Sequence, residues 1–285
     1  MEPSPQNGPS APDRGPSRIV CLTEETTETL YLLGEERRIV GISGYTVRPP
    51  RARREKPRVS AFLSARIDKI LELKPDLVLG FSDLQADIAR DLAKAGLNIM
   101  IFNQRSVGEI LSMIQMLASL VGAPEKGAAL IQRLETGLRE VSEAAGGFAR
   151  RPRVYFEEWD EPMISGIRWV SELIEIAGGE DIFSERSRSQ AASGRIIGNA
   201  EEVIQRKPDV MLASWCGKKF RPERVAARPG WQAVPAVRDQ QLFEIKSAEI
   251  LQPGPAALTD GVRRMHSILR DFLSGGGRTR RSGGA

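Results

Sequence analysis

Histidine and cysteine are nearly missing from this chain, and much site chemistry is missing with them. His266 is the only histidine, and Cys21 and Cys216 are the only cysteines. A single imidazole excludes a His-rich zinc or iron site and allows no Ser-His-Asp or Cys-His set except through His266 itself. His266 lies in a helical stretch near the C-terminus and reads as a surface or packing residue. Two distant cysteines give no disulfide framework, so both read as core thiols. No segment approaches the roughly 20 apolar residues that span a bilayer. Neither a GxxxxGK[ST] loop nor a GxGxxG after the first strand is present, which disfavours a nucleotide enzyme. The opening MEPSPQNGPSAPDRGPS has no apolar core. It reads as a disordered leader, neither signal nor anchor, and the chain as written is expected in the cytoplasm.

Charge of one sign is also scarce: 41 Lys and Arg against 37 Asp and Glu leave a formal +4. Arg48, Arg51, Arg53 and Arg54 gather around one loop, and Arg278, Arg280 and Arg281 lie in a Gly-rich tail. No aromatic platform is interleaved with them, so a solvated loop and tail account for them better than a nucleic-acid patch.

What is present is alternation. RIVCL is a short apolar run, followed by TEETTETLYLLG, where Thr23 can cap a helix that Gly34 stops. RIVGISGY is the next apolar run, and Pro49-Pro50 imposes an extended loop over 45–57. IDKILEL reads helical, DLVLGF as a buried strand, DLQADIARDLAKAG as an amphipathic helix ending at Gly96, and NIMIF as a strand. From Ser106 to about Ala145 helix takes over, with a break at Ala123-Pro124 and an apolar stripe through Leu130, Leu134, Leu138 and Val141. Alternation then resumes with RVYFEEW, WVSELIEIAGG, AEEVIQRKPDVMLASW, QLFEIK and a last helix near 257–272. Strands alternating with helices predict parallel sheets covered by helices.

IDKILELKPDLVLGF is echoed by AEEVIQRKPDVMLASW at a constant offset of 133 positions, pairing Asp68 with Glu201 and Lys74-Pro75-Asp76 with Lys207-Pro208-Asp209. A helix, a Lys-Pro-Asp turn and a buried strand therefore occur once in each half. Pro ends the helix, and Asp can bond the freed backbone. The fold class expected is α/β, with two doubly wound lobes joined by one long rigid helix and a ligand cleft between them. The expected divisions are a leader over 1–16, an N-terminal lobe over 17–122, a linking helix over 123–147, a C-terminal lobe over 148–273 and a basic tail over 274–285.

Taken together, RIVCLTEETTETLYLLG, GISGYTVRPP, RVSAFLSARIDKILELKPDLVLGF, SELIEIAGGEDIF and the second KPDVML make the chain resemble the solute-binding proteins that feed vitamin B12, ferric siderophores and haem to ABC importers. The resemblance covers roughly Ser17 to Leu273, and the vitamin B12 binders are the most similar members. It implies a periplasmic monomer, against the cytoplasmic expectation from the leader, that takes a corrinoid or iron complex as ligand, with cobalamin first, uses no cofactor and delivers to a permease dimer without chemistry. It places Tyr45, Phe62 and Phe81 on the N-lobe wall. On the C-lobe wall it places Trp159, Ile167, Trp169 and Trp215, with Ser165 and Gly166 reaching ligand amides. Aromatic faces suit a broad macrocycle, although core packing is the competing assignment for Tyr45, Phe81, Trp169 and Trp231. Asp68 and Glu201 fall at the family's permease-docking positions; first-turn helix acids explain them equally well. Where aromatics are expected late in the cleft the chain has KSAEILQPGP, contributing Glu249 or Gln252. Arg168 and Arg195 would suit an anionic siderophore or haem propionates. The carboxylates Glu157, Glu158, Asp160 and Glu161 are the one cluster that could serve catalysis or hold a divalent cation. A cytoplasmic corrinoid sensor is a third possibility.

Overall fold

The computed structural model describes residues 15–275; the leader up to residue 14 and the tail from 276, with its arginines, lie outside the described residues. The first sheet contains β1 (Ile19–Cys21), β2 (Ile39–Ser43), β3 (Arg58–Ser60), β4 (Leu77–Phe81) and β5 (Ile99–Phe102), ordered β3-β2-β1-β4-β5 with every pair parallel. β1 and β4 are buried along their whole length, as continuous apolar runs between two helical layers must be. Gly34 and Gly96 both take positive φ at helix ends, as expected of C-terminal stops. The 45–57 loop is less extended than expected, since Ala52–Glu55 forms one helical turn that buries Ala52.

The second sheet contains β6 (Arg153–Asp160), β7 (Met163–Ser165), β8 (Glu180–Asp181), β9 (Val210–Ala213) and β10 (Leu242–Glu244). Its order is β10-β9-β6-β7, with β8 on the start of β6. β7 folds back antiparallel on β6 after the Glu161-Pro162 turn, a hairpin the periodicity did not reveal.

The 133-residue echo is a structural device. Lys74 and Lys207 share a left-handed conformation, φ 46° and 47°, directly before proline. The Asp after each proline bonds the start of the neighbouring strand rather than its own helix. Asp76 accepts from the Ser17 and Arg18 backbone N–H at 2.7 and 2.9 Å, and Asp209 from the Arg153 N–H at 2.8 Å. Arg18 and Arg153 return the contact by donating to carbonyls at the preceding helix ends, Leu73 O at 2.6 Å and Arg206 O at 3.0 Å. These pairs fix the central strand of each sheet against its neighbour.

Two helices connect the sheets, Val107–Leu120 and Pro124–Ala145. Ser106 and Glu109 form a reciprocal capping box at the first. The second is 22 residues long, about 33 Å at helical rise. It is tied at one end by Lys126 to Glu35 at 2.7 Å, and its last turn packs beside Gly178 in the second lobe. The apolar core runs unbroken from Ile19 and Leu30 through Leu117 and Leu134 to Leu173 and Leu269. The lobes therefore share one core layer, which stiffens the link between them.

Candidate functional site

In the order β3-β2-β1-β4-β5 the chain winds outward in both directions from β1 and β4, so a crevice opens beyond their carboxyl ends. The residues that leave those ends are Thr23-Glu24-Glu25 after β1 and Ser82-Asp83 after β4, flanked by Gly44-Tyr45 after β2 and Asn103 to Arg105 after β5. Tyr45 is 58% exposed on this rim. Phe81 is buried, with the Arg105 guanidinium 4.9 Å from its ring centroid. Arg105 also donates to Asn103 Oδ1 at 2.8 Å and lies 3.5 Å from Asp83. Gln85 links the two predicted aromatics, accepting from the Phe81 N–H and donating to the Phe62 carbonyl. Phe62 itself is half-buried.

The opposing wall comes from the β6–β7 hairpin and the ends of β9 and β10. Trp159 is half-buried, its indole N–H held by Glu161 O at 2.8 Å and Lys218 Nζ 3.8 Å above its ring. Beyond β10, Glu249 is half-buried in the helical turn Ser247–Ile250 and Gln252 is half-buried just after it. Ser165 and Gly166 are buried, and Ser165 Oγ donates to the Arg195 carbonyl.

Three predicted wall residues lie inside the core instead. Ile167 and Trp169 pack in the layer shared by both lobes, where Trp169 donates to Ile250 O at 2.9 Å. Trp215 stacks edge-on with Phe220 and donates to Glu157 at 3.0 Å. Trp231 is fully buried against Tyr155, in line with packing. The physical reason is common to them: large apolar side chains are buried by packing whether or not a ligand exists.

Three of the four cluster carboxylates are already paired with cations. Glu157 is clamped by Arg228 at 2.6 Å, Glu158 by Arg195 at 2.6 Å and Asp160 by Lys218 at 2.8 Å. Among the described residues no group of His, Cys, Asp and Glu is arranged to hold a metal ion. The predicted cationic cleft is likewise neutralised. Arg195 is 2% exposed and also donates to the Ser165 carbonyl, while Arg168 is exposed and pairs with Glu172 at 2.8 Å.

Hydrogen bonds close the back of the cleft. Gln104 donates to Pro253 O at 2.9 Å, Trp169 N–H to Arg105 O at 2.9 Å, Val107 N–H to Glu172 at 2.7 Å and Ala256 N–H to Glu28 at 3.1 Å. Arg48 bridges Glu28 and Asp260, both at 2.8 Å. Gly254 sits so close that a Cβ there would lie 2.5 Å from the Glu25 Cβ.

The floor is acidic, a feature missed in the sequence although EETTE spelled it out. Burial, then the charge of Glu25, pushes the Glu24 carboxyl up to about 8. Burial pushes Glu25 up to about 7 against a 2.5 Å hydrogen bond from Thr23, and Glu28 is also raised by burial. Thr23, predicted to cap the helix backbone, spends its hydroxyl on Glu25.

Asp68 and Glu201 are exposed in the first turns of matching helices, one on each lobe. A separate groove of about 620 Å³ leaves the cleft rim at Ser82, Asp83 and Asn103 and runs down the outer edge of β5 past Ala86, Ala93 and Ile99. No described helix is long and apolar enough to cross a membrane.

Known proteins share this architecture. The periplasmic binding protein family matches residues 19–249. A vitamin B12-binding protein of Vibrio cholerae is 27% identical over 264 residues, 89% of each chain. An uncharacterised ABC transporter substrate-binding lipoprotein of Bacillus subtilis is 23% identical over 266 residues, 90% of this chain and 81% of its own length. A solved periplasmic haem-binding protein of Roseiflexus superposes with a TM-score of 0.75 at 23% identity, over 90% of this chain and all of that one. With a family match that runs through both sheets and the cleft between them, this chain belongs to the periplasmic binding proteins.

Proposed function

We propose that the chain captures a corrinoid such as cobalamin between its lobes, leaves it chemically unchanged and passes it to the permease of an ABC importer. The observation that carries this reading is the cleft itself: strand ends of two sheets, an accessible aromatic ring on each rim in Tyr45 and Trp159, and a floor where Arg48, Arg195 and Lys218 are engaged by protein acids. A corrinoid is a broad apolar ring edged by uncharged amides, which aromatic rims and hydrogen-bonding floor groups suit. Similarity to a protein named for vitamin B12 binding, spread over most of both chains, supports the same ligand. Asp68 and Glu201 would offer the permease one carboxylate per lobe, matched to arginine pockets.

A haem ligand is the second reading, and Tyr45 favours it. Haem iron needs an axial side chain, and Tyr can supply one. Tyr31 and Tyr155 are committed to Glu55 and Glu157, and His266 is stacked on Phe148 in the C-terminal helix packing. Only Tyr45 has its ring in the open.

Calorimetric titration with cyanocobalamin, haemin and a ferric hydroxamate tests the proposal. One-to-one binding that is tightest for cyanocobalamin is expected. Heat from haemin alone, lost in Tyr45→Phe, would transfer the function to haem.

A further inference from the structure

One group on the cleft floor is only half engaged by the fold. Glu24 opens the helix Glu24–Leu32 at the crevice, is 8% exposed, and among the described residues its Oε2 has no hydrogen-bond partner. The carboxyl is hydrogen-bonded by the Val47 backbone, from the loop after β2. Its neighbour Glu25 packs against Gly254 of the second lobe, so this helix start lies where the two lobes meet. Buried polar atoms almost always have partners, and in a ligand cleft the natural one is the ligand.

The surrounding charges decide which ligand. Glu24 is faced by Glu25 and Glu28 from its own helix, by Arg53 from the turn after β2, and by Cys216 with Glu158 behind it from the second lobe. Two cations near the floor are taken: Arg48 by Glu28 and Asp260, Arg195 by Glu158. A ligand bringing several negative charges to this floor would meet three carboxyl groups, and a loosely paired guanidinium, that of Arg105, lies on the first lobe's rim, 3.5 Å from Asp83.

We propose that Glu24 is a ligand-recognition residue whose protonated carboxyl donates a hydrogen bond to an uncharged oxygen acceptor, an amide or hydroxamate carbonyl, and that the floor around it turns away polyanionic ligands. This rests on the interlobe cleft being the binding site, but not on the ligand being a corrinoid. Burial and Glu25 hold the carboxyl at about 8, so the donor form predominates at neutral pH. Between pH 7 and 9 the protonated fraction, and with it the affinity for a neutral ligand, falls about tenfold.

The test is calorimetry of the full chain at pH 7 and 9 against cyanocobalamin, a neutral ferric hydroxamate, haemin and a trianionic ferric catecholate, with thermal melts in parallel. Wild-type protein should prefer a neutral ligand and show the tenfold fall. Glu24→Leu should weaken that binding at least tenfold at pH 7, with a cooperative melt showing that the fold is intact. Glu24→Gln, whose amide also donates, should recover most of the loss and show no fall with pH; Cys216→Ser should keep the fall, and Glu25→Gln, which removes a charge that raises Glu24, should move it to lower pH. Hydroxamate binding without cobalamin binding would change the ligand and leave this inference standing. Haemin or the catecholate bound more tightly than both neutral ligands would overturn it, and so would Glu24→Leu binding as the wild type does.

Discussion

The acidic floor makes the ligand-free protein lose stability as pH rises, against the usual behaviour of carboxylates. Glu24 moves from an ordinary 4.5 to about 8, and Glu25 from 4.5 to about 7. The folded state therefore holds protons that the unfolded chain has released between pH 4.5 and 8. Stability rises with pH only where the unfolded state binds more protons, so here it must fall. Each pKa unit is worth about 1.4 kcal/mol, which gives on the order of 5 kcal/mol for Glu24 and 3 for Glu25. The two are coupled, because Glu25 is itself a cause of the Glu24 shift. We expect about 3–6 kcal/mol for the pair, a large part of a typical folding free energy of roughly 5–15 kcal/mol. Glu28 and Asp181, also raised by burial, act with the same sign. Asp76, Glu35 and Asp160, which their partners hold below the ordinary range, titrate beneath this window and do not offset it. Urea unfolding of ligand-free protein at pH 5, 7 and 9 should show the midpoint falling at each step, and Glu24→Gln combined with Glu25→Gln should flatten the profile. A wild-type midpoint that is level or rising from pH 5 to 9 would refute the reasoning.

Other expectations follow from single contacts. Trp159→Ala removes an accessible rim ring, so ligand affinity should fall at least tenfold by calorimetry with little change in melting temperature. Asp76→Ala and Asp209→Ala each leave strand-start donors without their acceptor and should lower stability by about 1–3 kcal/mol in urea titrations. Asp68→Lys and Glu201→Lys, on exposed helix starts, should leave ligand affinity unchanged while cutting permease-dependent uptake in reconstituted vesicles.

Much of this fold can be read from its residues. RIVCL and DLVLGF are strands whose continuous apolar runs suit the interior of a helix-covered parallel sheet, while NIMIF forms the half-buried edge strand. The two Lys-Pro-Asp turns were visible as a repeat, but not their partners: that Asp76 and Asp209 hold Arg18 and Arg153 depends on strand order, which no local pattern encodes. The β6–β7 hairpin was hidden for a similar reason, its second strand being only three residues long. Aromatic rings were the weakest guide to the site. Trp159, at a strand end in the polar company of EEWDEP, is the better placed of the two in sequence and is half-buried, whereas Trp169, on an amphipathic helix, donates to Ile250 within the core. The most informative residues, Glu24 and Glu25, resembled ordinary first-turn helix acids, and only the packing of Gly254 and Val47 against them shows that they are buried.

The central claim is that one ligand is held by both lobes at once. Hydrogen–deuterium exchange with and without saturating cyanocobalamin tests it most directly. The account predicts simultaneous protection of residues 44–47 and 82–85 in the first lobe and of 159–163 and 214–218 in the second. Protection confined to one lobe, or running along the outer edge of β5, would contradict it.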